Sequence, residues 1–242
     1  MCFTVAVDLA RDELEKRYDV SFPEELVFEP AYFFSAYSHP ALPVITSEKP
    51  GEVTLSQWGL IPGWVRTPED ARQIRTKTIN ARVETLFEKP SYRKAAPRQH
   101  CLVPVTGFYE WHEHHGKKYP FYLHLKNEKS FALAGLYDKW LNPETGEKLH
   151  TFTLITVPAG PLLSRIHNTR KRMPVVLRPE TEKAWLHTTV NPGKIREILV
   201  PPRDDAFDYF PVYTRNAEKN PRDPSVIRPY DYGFDLTDNA LF

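Results

Sequence analysis

Glycine is scarce in this 242-residue sequence, which has 10 glycines but 23 prolines. This composition favours short elements with stiff connections over a phosphate-binding α/β domain. The glycine-rich nucleotide-binding loops, the zinc-protease helix motif and the serine-hydrolase elbow are also missing. These absences exclude the common nucleotide-binding, zinc-protease and serine-hydrolase classes.

Cysteine is rarer still, with only Cys2 and Cys101. Two thiols cannot form a disulfide framework, a cysteine-built zinc site or an iron–sulfur cluster, and they suit a reducing cytosol. The chain has no apolar run of the ~18–20 residues that a membrane span needs, and no basic leader precedes an apolar segment. We therefore expect a cytoplasmic protein without a membrane segment.

Charge is balanced overall but unevenly distributed. There are 32 Lys and Arg residues against 31 Asp and Glu, a net charge of +1. Residues 64–98 contain nine basic and four acidic side chains, and residues 165–178 contain five basic side chains and no acidic one. One basic face for a polyanion would explain this pattern, as would a scattered, solvated surface.

Alternating apolar and polar residues predict strands over residues 2–9, 54–58, 101–105, 108–112, 121–125, 131–140 and 151–157. Capping patterns predict short helices over residues 11–18, 67–74, 178–186 and 191–199. Residues 112–118 and 142–148 are typical of hairpin connections, and the proline-punctuated segments 43–52 and 88–99 of loops. The predicted fold is a single α+β domain over residues 1–242, with a mixed, partly closed sheet or barrel and short peripheral helices.

Cys2 is the most informative residue. Methionine is normally removed before a small residue, which would give Cys2 a free α-amine with a pKa of about 7.7–8.0. A neutral amine attacks aldehydes to form a Schiff base, and the thiol can then close a five-membered thiazolidine ring. The thiol could instead be the nucleophile with the amine as its base, as in N-terminal hydrolases. Cys2 could also simply begin a strand.

Glu110 lies in the aromatic run GFYEW, where it shares a strand face with Phe108 and His112. An aromatic setting raises the pKa of a carboxyl group and suits acid–base catalysis, although an edge-strand charge would show the same pattern. His112 and His114 alternate like a pair of metal ligands. Because no third ligand is identifiable, we expect no metal or other cofactor.

Two further segments combine polar and basic side chains. In NARVET, Asn80 offers donors and an acceptor and Arg82 a phosphate-matching fork, although helix-start chemistry explains the pattern equally well. In IHNTRKRMP, His167 precedes a basic cluster that ends at Arg172. This histidine is either a proton donor beside an anionic substrate or an inert loop residue.

The segment SQWGLIPGWV contains Trp58 and Trp64 next to the basic stretch. Indole rings there could stack on nucleobases or could both lie in the core. We expect at least one of them to be exposed.

Taken together, Met1-Cys2, WGLIPGW (58–64), NARVET (80–85), the stretch from SYRKA to GFYEW (91–111) and IHNTRKRMPVVL (166–177) resemble the SOS-response-associated peptidase (SRAP) family of abasic-site processing proteins. The segments occur in the family's order, and residues 208–230 resemble its closing segment. The resemblance implies a single α+β domain that reacts covalently with abasic sites in single-stranded DNA.

The resemblance also implies roles for individual residues. Cys2 would be the nucleophile and thiazolidine former, Asn80 would orient the reacting N-terminus, Glu110 would move protons at the amine and thiol, and His167 would protonate the sugar ring oxygen. Arg82 and Arg93 would hold flanking phosphates. The two tryptophans and the arginine singled out above complete the set of predicted DNA contacts. The full set is Trp58, Trp64, Arg82, Arg93 and Arg172.

These assignments predict a monomer without cofactors that binds single-stranded DNA in the DNA-damage response, in the cytoplasm and at the nucleoid. Peptidase-type removal of Met1 and a lyase activity are further expectations. The sequence departs from the family at Phe3 and Thr4, where Gly-Arg is usual, and in a lengthened segment after His167. Two alternatives remain open: an N-terminal-cysteine hydrolase (a peptidase or amidase) and a non-catalytic nucleic-acid-binding domain.

Overall fold

A computed structural model describes residues 2–187, 189, 191–200 and 202–233, the side chain of residue 196 excepted. In this part of the chain there are twelve strands: β1 Thr4–Val7, β2 Ala31–Ser35, β3 Ala41–Thr46, β4 Val53–Trp58, β5 Asn80–Arg82, β6 His100–Val105, β7 Gly107–His114, β8 Lys117–Leu125, β9 Phe131–Leu141, β10 Lys148–Pro158, β11 Arg172–Pro174 and β12 Phe207–Pro211. The described α-helices are α1 Arg11–Tyr18, α2 Pro68–Arg75, α3 Pro161–Ile166, α4 Pro179–His187 and α5 Pro192–Ile198.

Five strands close into a barrel in the order β4, β3, β6, β9 and β10, with β10 pairing β4 again. The β10–β4 pairing is parallel and the other four are antiparallel. Strands β9 and β10 are buried along most of their length. The predicted α+β fold with a mixed, partly closed sheet is confirmed.

Two short strands pair with β10 beyond the residues that β4 and β9 cover. Strand β5 lies parallel to β10, with Asn80 opposite Leu154 and Arg82 opposite Thr156. Strand β11 lies antiparallel on the other edge of β10, with Pro174 opposite Thr156. The NARVET segment and the segment after His167 therefore meet across the end of a single strand.

A second, antiparallel sheet has the order β12, β8, β7, β1 and β2. Strand β1 lies between β2 and β7, which fixes the backbone that follows Cys2. One large cluster of buried apolar side chains joins this sheet to the barrel, and it includes Val5, Phe108 and Phe152. Burial of such side chains is the main favourable contribution to folding.

The predicted helices are present, and α2 has the predicted threonine cap. The hydroxyl oxygen of Thr67 accepts a hydrogen bond from the backbone N–H of Asp70 at 3.0 Å, and Pro68 occupies the first turn of α2. Helix α1 covers the predicted residues 11–18, and α4 and α5 begin at the prolines of their predicted segments. None of the described helices is long and apolar enough to cross a membrane.

Two predicted connections are shorter in the structure than the sequence suggested. Segment 112–118 is mostly strand, because β7 and β8 are joined by only His115 and Gly116, whose φ angles of 49° and 73° suit a tight hairpin turn. Segment 43–52 was predicted as a loop, yet its first residues belong to β3. Pro43 is tolerated there because β6 pairs only with Ile45 and Thr46, so β3 has a single partner at the proline.

Strands β2 and β12 lay outside the predicted strands, and NARVET forms a strand and a 3₁₀ turn instead of a helix start. The prediction of one domain over residues 1–242 extends beyond the described residues and stays a prediction.

The close packing around Gly135 in the barrel gives a stability prediction. A Cβ atom on Gly135 of β9 would lie 2.7 Å from Cys101 Sγ and 2.8 Å from the carbonyl oxygen of Thr153. Gly135→Ala should therefore lower the free energy of unfolding by about 1–3 kcal/mol, measured by urea denaturation. Gly51→Ala is the matched control, since no atom lies within 4 Å of the added Cβ. Equal stabilities for the two variants would contradict the barrel packing.

Candidate functional site

Cys2 is completely buried, two residues before β1 begins. Its thiol donates a hydrogen bond to the carbonyl oxygen of Thr4, with an S–O distance of 3.5 Å. Burial raises the pKa of this thiol well above its ordinary value, and the neighbouring Glu110 carboxyl group raises it further. The thiol is therefore protonated at neutral pH. Met1 lies outside the described residues.

Asn80 fixes the backbone of Cys2. As the first residue of β5, it is held by pairing with β10 and by the Tyr92 hydroxyl, which donates to its carbonyl oxygen at 3.1 Å. Its side-chain Nδ2 donates to the carbonyl oxygen of Cys2 at 2.7 Å. Its Oδ1 atom is buried and has no hydrogen-bond partner among the described residues. A hydrogen-bond acceptor thus remains available on the side chain that contacts Cys2.

Glu110 and His167 form a buried pair. Glu110 lies on β7, and His167 follows α3. The Glu110 Oε2 atom is 3.0 Å from His167 Nδ1, which also lies 3.0 Å from the carbonyl oxygen of Arg172. Because a carbonyl oxygen can only accept, Nδ1 carries a proton and is shared between the two oxygens.

The distance in this pair would suit an ion pair, but desolvation favours the uncharged forms. Burial raises the pKa of Glu110 from its ordinary value of 4.5 to about 8, as its aromatic setting predicted. Burial also lowers the pKa of His167 from 6.5 to about 4. Near neutral pH Glu110 therefore holds a proton that it can donate, and His167 is a neutral imidazole.

Two clefts flank the segment that follows Cys2. The acid–base cleft, of about 370 Å³, is lined by Glu110, His167, Lys118 and Arg170 among others. The amide cleft, of about 530 Å³, is lined by Asn80, Arg82, Lys77 and Lys89 among others. Phe3 and Tyr37 line both clefts. Each cleft thus combines groups of the candidate site with basic side chains that suit an anionic ligand.

The two tryptophans differ in exposure. Trp64 is 50% exposed, which confirms that at least one of them reaches the surface. Trp58 is fully buried, stacks on Phe152 and donates from Nε1 to the carbonyl oxygen of Ile79 at 2.9 Å. The base contact predicted for Trp58 is withdrawn, because its ring has no accessible face.

The three arginines predicted to contact phosphates also differ in exposure. Arg82 and Arg93 are exposed, and Arg82 lines the amide cleft. Arg172 is only 8% exposed. Its guanidinium donates to both carboxylate oxygens of Glu84, at 2.9 and 3.0 Å, and also to Thr156. Since these acceptors occupy its donors, Arg172 joins β11 to the NARVET segment, and the phosphate contact predicted for it is withdrawn.

Sequence reasoning missed several residues around these clefts. Tyr92, which holds Asn80, lies in the SYRKA segment, but no spacing rule connects the two residues. Phe3 was noted only as a departure from the family, and Tyr37 was not singled out. Among the described residues, no group of three or more His, Cys, Asp or Glu side chains could hold a metal ion.

Comparison with known proteins gives a consistent result. The family model described as "SOS response associated peptidase (SRAP)" matches residues 1–217. The chain is 35% identical over 234 residues to the abasic site processing protein YoqW of Bacillus subtilis, covering 95% of this chain and all of YoqW. It is 34% identical to the abasic site processing protein HMCES of Xenopus tropicalis, over 68% of this chain and 54% of HMCES.

Solved structures agree with the fold. A Bacteroides thetaiotaomicron protein matches with a TM-score of 0.89 and 35% identity, covering 95% of this chain and all of the other. A Bordetella bronchiseptica protein matches with a TM-score of 0.75 and 26% identity, covering 88% of this chain and all of the other. The barrel, the second sheet and the short helices are therefore an architecture shared with these proteins.

The buried pair generates a prediction for stability against pH. Because the pKa of Glu110 is raised in the folded state, its contribution to stability is full below about 4.5 and is lost as the pH rises towards about 8. The contribution of His167 has the opposite sign and is lost as the pH falls from about 6.5 towards about 4. Between pH 6.5 and 8 only the Glu110 contribution changes.

Glu110→Gln should remove this change. Its free energy of unfolding relative to wild type should rise by up to about 1.4 kcal/mol per pH unit across the window from 6.5 to 8, measured by urea denaturation. Glu113→Gln, the same substitution at an exposed position of β7, should track wild type. A constant difference between Glu110→Gln and wild type across the window would show that Glu110 is already ionised at its lower end.

Proposed function

Because the chain belongs to the SOS response associated peptidase (SRAP) family, we propose that it processes abasic sites in DNA as part of the DNA-damage response. It binds single-stranded DNA and links Cys2 covalently to the ring-opened abasic sugar as a thiazolidine. The observation that carries this proposal is the Asn80 hydrogen bond to Cys2, made within the same site as the buried Glu110–His167 pair. What supports the proposal is that an amide donor and two titratable side chains lie in the same site as Cys2.

The protonated thiol favours the amine as the first nucleophile. After Met1 removal, the α-amine of Cys2 has an ordinary pKa of about 7.7–8.0, so a useful fraction is neutral at pH 7. The amine nitrogen bonds to C1′ of the open-chain aldehyde, and loss of water from the carbinolamine leaves an imine. Sγ then adds to C1′, and the thiol proton passes to the nitrogen. The ring contains N, Cα, Cβ, Sγ and C1′.

Asn80 orients the amine in this scheme. Its Nδ2 already holds the Cys2 carbonyl group, and its buried Oδ1 has no hydrogen-bond partner among the described residues, so it is free to accept from the amine. An N–H donated to Oδ1 leaves the nitrogen lone pair directed at the aldehyde. Holding the amine in this orientation lowers the entropic part of the barrier to its attack on the aldehyde.

Glu110 and His167 move protons at different steps. Glu110 is protonated up to about pH 8, so it can protonate the departing hydroxyl group as water leaves. Its carboxylate can then take the proton that the nitrogen releases as the imine forms, and can finally relay the thiol proton back to the nitrogen. His167 protonates the ring oxygen to open the cyclic sugar. Burial is the main cause of its low pKa, and Arg170 and Lys118 lower the pKa further. A phosphate bound by these two cations would offset their effect and favour the charged imidazole.

The DNA strand follows the basic clefts in this proposal. Arg82 and Arg93 contact phosphates, and the exposed ring of Trp64 stacks on a base. The buried Arg172 and Trp58 support the site from behind and do not touch DNA.

A cysteine hydrolase is the second candidate, because the family description includes the word peptidase. A hydrolytic cysteine requires a thiolate, which is found where the thiol pKa is lowered. Burial raises the pKa of Cys2 instead, and this favours crosslinking over hydrolysis. Removal of Met1 by the chain itself is the one peptidase reaction that fits the proposal.

Replacement of each cysteine tests the crosslink. Mature protein should lack one methionine by mass and form a heat-stable adduct with an abasic single strand, whereas undamaged DNA should give none. Cys2→Ser should lose that adduct and keep one that borohydride traps, because the amine remains and the ring cannot close. Cys101→Ser is the matched control and should crosslink normally. An adduct that depends on Cys101 would mean that the wrong thiol is assigned, and amide hydrolysis without DNA would favour the second candidate.

The phosphate contacts can be tested through salt dependence. Each contact to single-stranded DNA contributes about 0.7 to the slope of log K against log salt concentration. Arg82→Ala should flatten the slope by about that amount without changing base preference, measured by fluorescence anisotropy. Arg203→Ala, which removes an exposed arginine that lines neither cleft, should leave it unchanged. Equal slopes for wild type and Arg82→Ala would remove Arg82 from the interface.

A further inference from the structure

An exposed aromatic pair lies between the two clefts. The rings of Phe3 and Tyr37 stack with their centroids 5.2 Å apart and their planes 18° from parallel. Phe3 packs against the core, whereas Tyr37 is 68% exposed. The stack therefore has a supported inner ring and an outer ring with accessible surface.

Backbone contacts hold both rings in place. The carbonyl oxygen of Phe3 accepts from the backbone N–H of Ala36 at 2.8 Å, which joins the start of β1 to the 3₁₀ turn that carries Tyr37. The turn ends at His39, whose backbone N–H donates to the carbonyl oxygen of Ala36 at 3.1 Å and whose Nδ1 lies 2.7 Å from the carbonyl oxygen of Trp58. Tyr37 is thus presented from a short segment anchored at both ends.

The position of the pair relates it to the reacting residue. Phe3 follows Cys2 directly, and both rings line the acid–base cleft on one side and the amide cleft on the other. A strand that occupies both clefts, with phosphates at Arg82 in one and at Arg170 in the other, passes over this pair. The nucleotide next to the lesion therefore comes to lie beside Tyr37.

The lesion supplies the physical reason for an aromatic group here. At an abasic site one base is missing, so each neighbouring base loses a stacking partner. An aromatic ring can replace that partner for any base, since every base has a π-face. Tyrosine suits this position because its ring offers an apolar face while its hydroxyl group remains hydrated.

Resting on the proposed function, we propose that Tyr37, supported by Phe3, is a stacking platform for the nucleobase adjacent to the abasic site. The platform recognises the gap left by the missing base without reading sequence. It acts in binding and positioning and takes no part in the chemical steps.

The test uses single-stranded oligonucleotides that carry an unreactive tetrahydrofuran abasic analogue, with binding measured by fluorescence anisotropy. In two further oligonucleotides the base on the 5′ or the 3′ side of the analogue is also removed. Wild type should lose about 5- to 150-fold in affinity when the stacked flanking base is absent, the range found for base–aromatic stacking. Tyr37→Ala should bind the single-lesion strand more weakly by a similar factor and should no longer respond to that base.

Conservative and control variants sharpen the comparison. Tyr37→Phe and Tyr37→Trp keep an aromatic face and should behave like wild type. Tyr213→Ala removes another exposed tyrosine, which lines neither cleft, and should also behave like wild type. The platform would be overturned if Tyr37→Ala bound all the strands as wild type does, or if it kept the full response to the flanking base.

The same proteins tested on a natural abasic strand separate this inference from the proposed function. An adduct with wild type, together with no effect of Tyr37→Ala on binding, would reject the platform and leave the crosslinking function standing. Absence of an adduct with wild type would reject the crosslinking function, and the anisotropy comparison would still decide whether Tyr37 stacks on a flanking base.

Discussion

The site depends on backbone pairing along both edges of one strand, β10. Beyond the part that β4 and β9 cover, β10 pairs with β5 on one edge and β11 on the other. Residues Leu154 to Thr156 thereby set the position of Asn80, while β11 holds the segment that ends the loop of His167. Two motifs far apart in sequence are brought to one place by hydrogen bonds that depend little on side chains. The chemistry of the site rests on this constraint.

Desolvation then sets which protons are present. Cys2 and Glu110 are both fully buried, and burial raises the pKa of each. It has the opposite effect on His167, a base that becomes charged by gaining a proton. The folded protein thus holds a protonated thiol, a protonated carboxyl group and a neutral imidazole close together.

The sequence predicted much of the barrel because its strands carry strong local signals. Strands β9 and β10 and helix α2 show clear patterns, whereas β3 contains Pro43 and depends on where its partners end. Exposure was harder to predict. Trp58 and Trp64 lie in one short motif, yet only the structure shows which faces solvent. Arg172 lies in a basic segment and was therefore predicted to contact phosphate. Its partner Glu84 lies 88 residues away in sequence, so no local pattern could show that the guanidinium is already paired.

The position of β1 between β2 and β7 has a mechanical consequence for the proposed adduct. DNA attached at Cys2 would pull on the end of the chain, along the direction of β1. Force applied in this way loads the hydrogen bonds to both neighbouring strands in shear, so that they share the tension instead of opening one at a time. The Asn80 bond to the Cys2 carbonyl group adds a lateral tether at the point of attachment. A residue at the end of the chain is thereby held by two neighbouring strands and a side chain, as a residue inside a sheet would be.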